Sequence, residues 1–198
     1  MYHLRRLSAL VLSLAIAPLL FLPTPAAAAN EDSMPLVLSS ASALLMEKET
    51  GTVLLQQNAH QKLEPASVTK IMTLLLVMEA VDSGRLPLDE LVPVSAHAAG
   101  MGGSQVYLKE GEQLSVSDLI KCVAVVSGND CAVALAERLA GSESAFVDQM
   151  NQKAQSLGMA DTHFVNCTGL PAPGHLTSAW DIALMSRELI LHHPDIRT

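Results

Sequence analysis

Ser67 and Lys70 stand three residues apart in the stretch EPASVTKIMT, residues 64–73. On a helix that spacing puts both side chains on one face, about a turn apart. A lysine amine within reach of a serine hydroxyl can take its proton if the lysine is neutral part of the time. Burial lowers a lysine pKa, and so does a nearby cation. The almost unbroken apolar run that follows Lys70 supplies the burial. Ser67 would also stand at a helix N-terminus, where free N–H groups and the positive dipole end suit an oxyanion. The plain alternative is that Ser67 only caps the helix and Lys70 is solvated. A solvated lysine sits poorly at the head of so apolar a segment.

A second group of interest comes sixty residues later, at Ser127-Gly128-Asn129. A hydroxyl there could relay a proton between a lysine and a leaving nitrogen. The Asn129 amide could bind a substrate carbonyl and hold Lys70 in place. The same residues, with Asp130, also read as a helix stop followed by a cap, and alone that reading is the stronger.

The elements that must position these groups are mostly helical. SALLMEKETGTVLLQQN reads as a hairpin, with apolar runs Ala43 to Met46 and Thr52 to Leu55 around a turn ending at Gly51. Pro65 suits a first helical turn, where its missing N–H costs nothing. Ile71, Leu74, Leu75, Met78 and Val81 keep helical spacing, and Leu76 and Val77 fill the opposite side. A helix apolar nearly all round is a buried one, and Gly84 is placed to end it. Arg85 to Gln113 is less regular, and GMGGSQ within it suggests loop. Ser115, with Asp118 three later, starts a helix that ends near Ser127. A second helix runs from about Asp130 to Ala140, and a third from Ser142 to Gly158. FVNCTGLPAPGHL is expected to be a short strand and loop, and SAWDIALMSRELILHH a last helix halted by Pro194. One hairpin and five helices are few strands for a mixed α/β domain.

Composition sets the compartment and excludes several partners. Arg5 and Arg6, the apolar stretch Leu7 to Leu22 and the small residues Ala27-Ala28-Ala29 form a secretory signal peptide, residues 1–29. Pro18 and Pro23 break that stretch, which is short for a membrane span. The chain is therefore expected to work outside the cytoplasm. Its formal charge of −8 becomes −10 without residues 1–29, because Arg5 and Arg6 leave and no acidic residue does. Nucleic acid is not a partner for so acidic a chain. About 170 residues remain, enough for one domain with a real core. Cys122, Cys131 and Cys167 are odd in number, lack metal-ligand spacing and read as buried free thiols. No HExxH pair supports a zinc site. Asn166-Cys167-Thr168 fits a glycosylation triplet, a pattern that arises often by chance.

Taken together, PASVTKIMT, SGNDCAVALAERLAG, FVDQMNQKAQSLGM and TGLP…GHLTSAWDIA resemble the low-molecular-mass penicillin-binding proteins, specifically the serine-type D-Ala-D-Ala carboxypeptidases. The resemblance runs from about Ala41 to Pro194. It implies an α/β (α+β) fold of the β-lactamase/transpeptidase-like kind, an antiparallel sheet with a helical subdomain. It further implies Ser67 as the acylated nucleophile, Lys70 as its general base, Ser127 as a proton relay and Asn129 as a substrate-binding residue. The implied reaction removes the terminal D-alanine from peptidoglycan stem peptides through an acyl-enzyme. No metal or organic cofactor is implied, and β-lactams would acylate the same serine.

One departure from the family pattern stands out. Such enzymes carry a Lys-Thr-Gly or Lys-Ser-Gly motif on a strand lining the site. None of Lys48, Lys62, Lys70, Lys109, Lys121 and Lys153 is followed by Thr-Gly or Ser-Gly. Residues 30–198 are accordingly expected to be the N-terminal part of the domain, without that strand, the C-terminal domain or the membrane-binding helix, and inactive by themselves. Two other readings compete. A class A β-lactamase shares the Ser-x-x-Lys pattern and the fold, but its second motif is usually Ser-Asp-Asn. A non-catalytic wall-associated protein would keep the helices without the chemistry.

Overall fold

The computed structural model describes residues 38–197; the expected signal peptide lies outside them. Strand β1 (Ala43–Met46) pairs antiparallel with β2 (Val53–Gln57), with a register shift between Leu45 and Met46. Glu47 builds the turn, its carboxylate accepting the N–H groups of Glu49 at 3.0 Å and Thr50 at 2.7 Å. A lone hairpin is marginal. Here helix α6 (Ala179–His192) packs on β1, and Arg187 donates to the Glu49 carbonyl at 2.7 Å.

A 3-10 turn, Ala66–Thr69, leads into α1 (Lys70–Asp82). Met72, Leu75, Val77 and Ala80 all have 0% exposure, so no single stripe is buried but most of the helix surface. Helices α3 (Val116–Val126), α4 (Asn129–Ala140) and α6 pack around it. Each large side chain buried this way contributes about 1.5–3 kcal/mol, which makes α1 the centre of the core. Gly84, at φ +72°, closes the helix, with its N–H on the Val81 carbonyl at 2.9 Å. By contrast α3 buries one stripe, Val116, Leu119, Ile120 and Val123, and leaves Val125 exposed.

The caps fall where the sequence placed them. Ser115 accepts the Asp118 N–H at 3.1 Å. Ser142 accepts that of Ala145 at 3.1 Å to start α5 (Glu143–Ser156). Pro194 ends α6 and opens a second 3-10 turn.

Two segments differ from expectation. The stretch read as irregular holds a second antiparallel pair, β3 (Leu91–Pro93) with β4 (Gln113–Ser115), and a one-turn helix α2 (Ala96–Ala99). Three-residue strands leave no alternation to detect. Within FVNCTGLPAPGHL there is no strand; Leu176 makes only an isolated bridge, to His163. The Asn166 side chain takes the N–H groups of Thr168 at 3.1 Å and Gly169 at 2.7 Å, so these amides cannot serve a ladder. The three cysteines are free, as expected, with Cys131 and Cys167 buried. No helix among the described residues is long and apolar enough to cross a membrane.

Candidate active site

Ser67 is exposed in the second position of the 3-10 turn, and its hydroxyl caps nothing. That removes the plain reading of this serine. Lys70 is 4% exposed at the first position of α1. Its Nζ lies 3.3 Å from Ser67 Oγ and 2.7 Å from the Thr168 carbonyl. Burial pushes the lysine below its ordinary pKa; a negative charge on Cys167 would push it back. Burial first, and then Glu143, hold the Cys167 thiol well above its ordinary pKa, so it stays uncharged. The depression of Lys70 therefore stands unopposed by a thiolate.

The loop 164–170 supplies the carbonyl that holds Lys70. Thr73 Oγ1 donates to the Cys167 carbonyl at 2.7 Å, one turn along α1 from Lys70. Gly169, at φ +87°, is pressed onto the turn, and a Cβ there would lie 1.7 Å from the Ala66 carbonyl oxygen. Ala66 itself has φ +46°, a left-handed backbone directly before the nucleophile candidate. Glu143 accepts the Cys167 N–H at 3.1 Å and a hydrogen bond from His97 at 2.9 Å. Asn166 is bonded within the loop through both ends of its amide, its nitrogen donating to the Leu170 carbonyl at 2.8 Å.

The second motif forms the junction of α3 and α4. Ser127 ends α3 with φ +60°, and its hydroxyl is buried without a hydrogen-bond partner among the described residues. Asn129 is 3% exposed; its Nδ2 donates to the Gly102 carbonyl at 2.7 Å and its N–H to the Ser104 carbonyl at 2.7 Å. Asp130, at 0% exposure, accepts the N–H groups of Val106 at 3.0 Å and Leu108 at 3.1 Å. Tyr107 between them has φ +64°, which turns both neighbouring amides toward one carboxyl group. The GMGGSQ loop is thus laced to the start of α4.

These pieces meet. A Cβ on Gly103 would lie 2.8 Å from Asn129 Nδ2 and 3.4 Å from Leu170 Cδ2. The loop held by Asn129 therefore abuts the loop that holds Lys70. Ser67 and Lys70 touch directly. Ser127 and Asn129 make no hydrogen bond to either among the described residues, and their link to the pair runs through Gly103 and Leu170. An exposed serine hydroxyl, a buried amine beside it and a second buried hydroxyl suit acyl transfer through a covalent serine ester. The Thr168 carbonyl, Gly169, Asp130 and Glu143 were not singled out from sequence. Glycine in TGLP was the one signal, because a conformation or close approach that only glycine permits is the usual reason for it.

Known proteins share the sequence and the fold of this chain. The family model described as D-alanyl-D-alanine carboxypeptidase, peptidase S11, matches residues 27–197. The D-alanyl-D-alanine carboxypeptidase DacF of Bacillus subtilis strain 168 is 46% identical over 184 residues, 91% of this chain and 47% of that protein. The DacD carboxypeptidase of Francisella tularensis superposes with a TM-score of 0.79 at 41% identity, over 81% of this chain and 39% of that one. Penicillin-binding protein D2 of Listeria monocytogenes, solved with ampicillin bound, gives 0.72 at 35% identity, over 81% of this chain and 65% of that one. The chain spans under half the length of the curated relatives it matches. A family match over most of the chain, close relatives and a shared fold lead to one conclusion: the chain belongs to the peptidase S11 family, the D-alanyl-D-alanine carboxypeptidases.

Proposed function

We propose that residues 30–198 carry the nucleophile, base and proton relay of a serine-type D-Ala-D-Ala carboxypeptidase acting on peptidoglycan stem peptides outside the cytoplasm, behind a signal peptide at 1–29. The observation that carries this reading is the buried Lys70 amine 3.3 Å from an exposed Ser67 hydroxyl. Ser67 Oγ attacks the carbonyl carbon of the penultimate D-alanine, and its proton passes to neutral Lys70. The C–N bond to the terminal D-alanine breaks, and the proton reaches the leaving amine through the Ser127 hydroxyl. Water then attacks the ester, again giving a proton to Lys70, and Ser67 departs as its hydroxyl is restored. Asn129 donates from its amide to a substrate carbonyl. A β-lactam follows the first step only: its ring amide opens on Ser67, and its nitrogen stays tethered. The ampicillin-bound relative supports that half of the reading. The family match favours this reaction over a class A β-lactamase.

The test uses the full-length protein with a fluorescent penicillin and a peptide ending in D-Ala-D-Ala. The expected result is one adduct, mapped by mass to the peptide holding Ser67, and release of D-alanine. Ser67→Ala should lose both. Undiminished labelling of Ser67→Ala would assign the nucleophile elsewhere.

A further inference from the structure

The His175 ring is 2% exposed, and both of its nitrogens are in use. Nδ1 lies 2.9 Å from the N–H of Val165. A backbone amide only donates, so Nδ1 carries no proton and Nε2 does. Nε2–H therefore donates to Thr69 Oγ1, at 2.7 Å. Thr69 has 0% exposure and directly precedes Lys70. We propose that His175 is a positioning residue for the Ser67–Lys70 pair, its neutral ring bolting the loop that presents the Thr168 carbonyl to the turn that presents Ser67. The proposal rests on the reading of Ser67 and Lys70 as nucleophile and base.

The same two segments are also joined by Lys70 to the Thr168 carbonyl and by Thr73 to the Cys167 carbonyl. Packing does not fill the rest: a cavity of about 160 Å³ lies between them, lined by Glu64, Ala66, Gly169, Leu170 and His175 among others. Beyond the backbone contact of Gly169 with Ala66, hydrogen bonds hold the gap at its width, and His175 is the titratable partner on the loop side. A proton on Nδ1 would set donor against donor at the Val165 amide, turning that bond into a repulsion.

The surroundings keep the ring neutral. Burial foremost, and His163 next, hold its pKa below the ordinary histidine value, while Glu64 pulls the other way. His163 comes from the loop side and Glu64 from the segment before the 3-10 turn. Phe164 packs on the ring at 5.9 Å between centroids, and Lys70 follows Thr69 on α1. A depressed histidine pKa means that the unfolded chain binds the extra proton first. The clamp is then whole above the unfolded value and fails as pH falls through the folded one.

The test has two arms. In the first, the chain is labelled with ¹⁵N-histidine and with ¹³Cε-lysine. His175 should show the Nε2–H tautomer at pH 8. His175→Ala should raise the Lys70 midpoint toward that of a solvated lysine, because a loosened loop lets water reach the amine. Glutamine offers one donor and one acceptor and does not titrate, so His175→Gln should leave that midpoint in place. In the second arm, acylation of the full-length protein by a fluorescent penicillin is followed against pH. His175→Ala should slow it about ten-fold or more at pH 8, and His175→Gln by less than about three-fold. Below the His175 midpoint the wild-type log rate should fall with a slope of about two per pH unit, and that of His175→Gln with a slope of about one. If His175→Ala does not fold, the slopes of wild type and His175→Gln carry the test. Equal slopes, or a Lys70 midpoint unmoved in a folded His175→Ala, would overturn the role given to His175. A wild type that resists acylation would instead overturn the nucleophile reading, and the tautomer and the Lys70 midpoints would still judge the clamp.

Discussion

Lys70 Nζ lies nearer to the Thr168 carbonyl, at 2.7 Å, than to the Ser67 hydroxyl it would deprotonate, at 3.3 Å. The carbonyl accepts from a neutral or a charged amine but favours the charged one; burial favours the neutral one. The lysine is thus parked on Thr168 and kept within reach of Ser67. Long contacts of this kind are usual before substrate arrives and tighten in the reacting complex.

Gly169 sets where that carbonyl stands, so substituting it tests the parking directly. A methyl group there would meet the Ala66 carbonyl oxygen at 1.7 Å and the Ser67 nitrogen at 3.0 Å, both backbone. Neither atom can swing aside, and φ of +87° is itself strained for alanine. Gly169→Ala should lose about 2 kcal/mol or more in stability. The urea midpoint measures this, and an unchanged midpoint would mean that the loop does not press on the turn.

Ser127 makes the opposite prediction. Its buried hydroxyl has no partner among the described residues, so within them it contributes desolvation cost and no hydrogen bond. An unmade buried bond costs about 1–3 kcal/mol. Ser127→Ala should therefore melt at the same temperature as the wild type or higher, while acylation of Ser67 slows about 10²-fold or more if its hydroxyl is the proposed relay. Melting curves and penicillin labelling check the pair of effects. A clear loss of stability with normal labelling would make Ser127 a structural residue.

The fold was legible wherever one segment explains itself. The hairpin, the buried α1 and the caps at Ser115 and Ser142 all follow from local pattern. The β3–β4 pair was not legible, because Leu91–Pro93 and Gln113–Ser115 are three residues each and lie about twenty residues apart. In the proposed site, Ser67 and Lys70 stand out by type and spacing beside an apolar helix, whereas Ser127 and Asn129 gain meaning only together with the other motifs. What holds them does not. Thr168 acts through a backbone carbonyl that any residue could supply, and His175 acts across 106 positions of sequence. Such contacts exist only after the chain has closed on itself.

Glu143 gives a prediction in pH. Burial works against its carboxylate, but the hydrogen bonds from His97 and Cys167 outweigh it and hold the pKa below the ordinary 4.5. A depressed carboxyl pKa contributes stability that is present above the unfolded value and lost as pH falls through the folded one. Glu143→Gln takes up no proton there. Between about pH 5 and 3 the wild type should lose more stability than Glu143→Gln, read from urea midpoints at each pH. Parallel curves would show that the ion pair with His97 and the Cys167 amide does not steady the loop.

The central claim is that Lys70 can serve as a base because burial makes its neutral form easier to reach than that of a solvated lysine. Its own titration tests this most directly and needs no turnover. With ¹³Cε-labelled lysine, and the Lys70 resonance assigned by its loss in Lys70→Gln, the full chain is titrated through the alkaline range. The Lys70 midpoint should lie below the ordinary value of a solvated lysine. A Lys70 midpoint at or above that value would contradict the claim and leave Ser67 without its base.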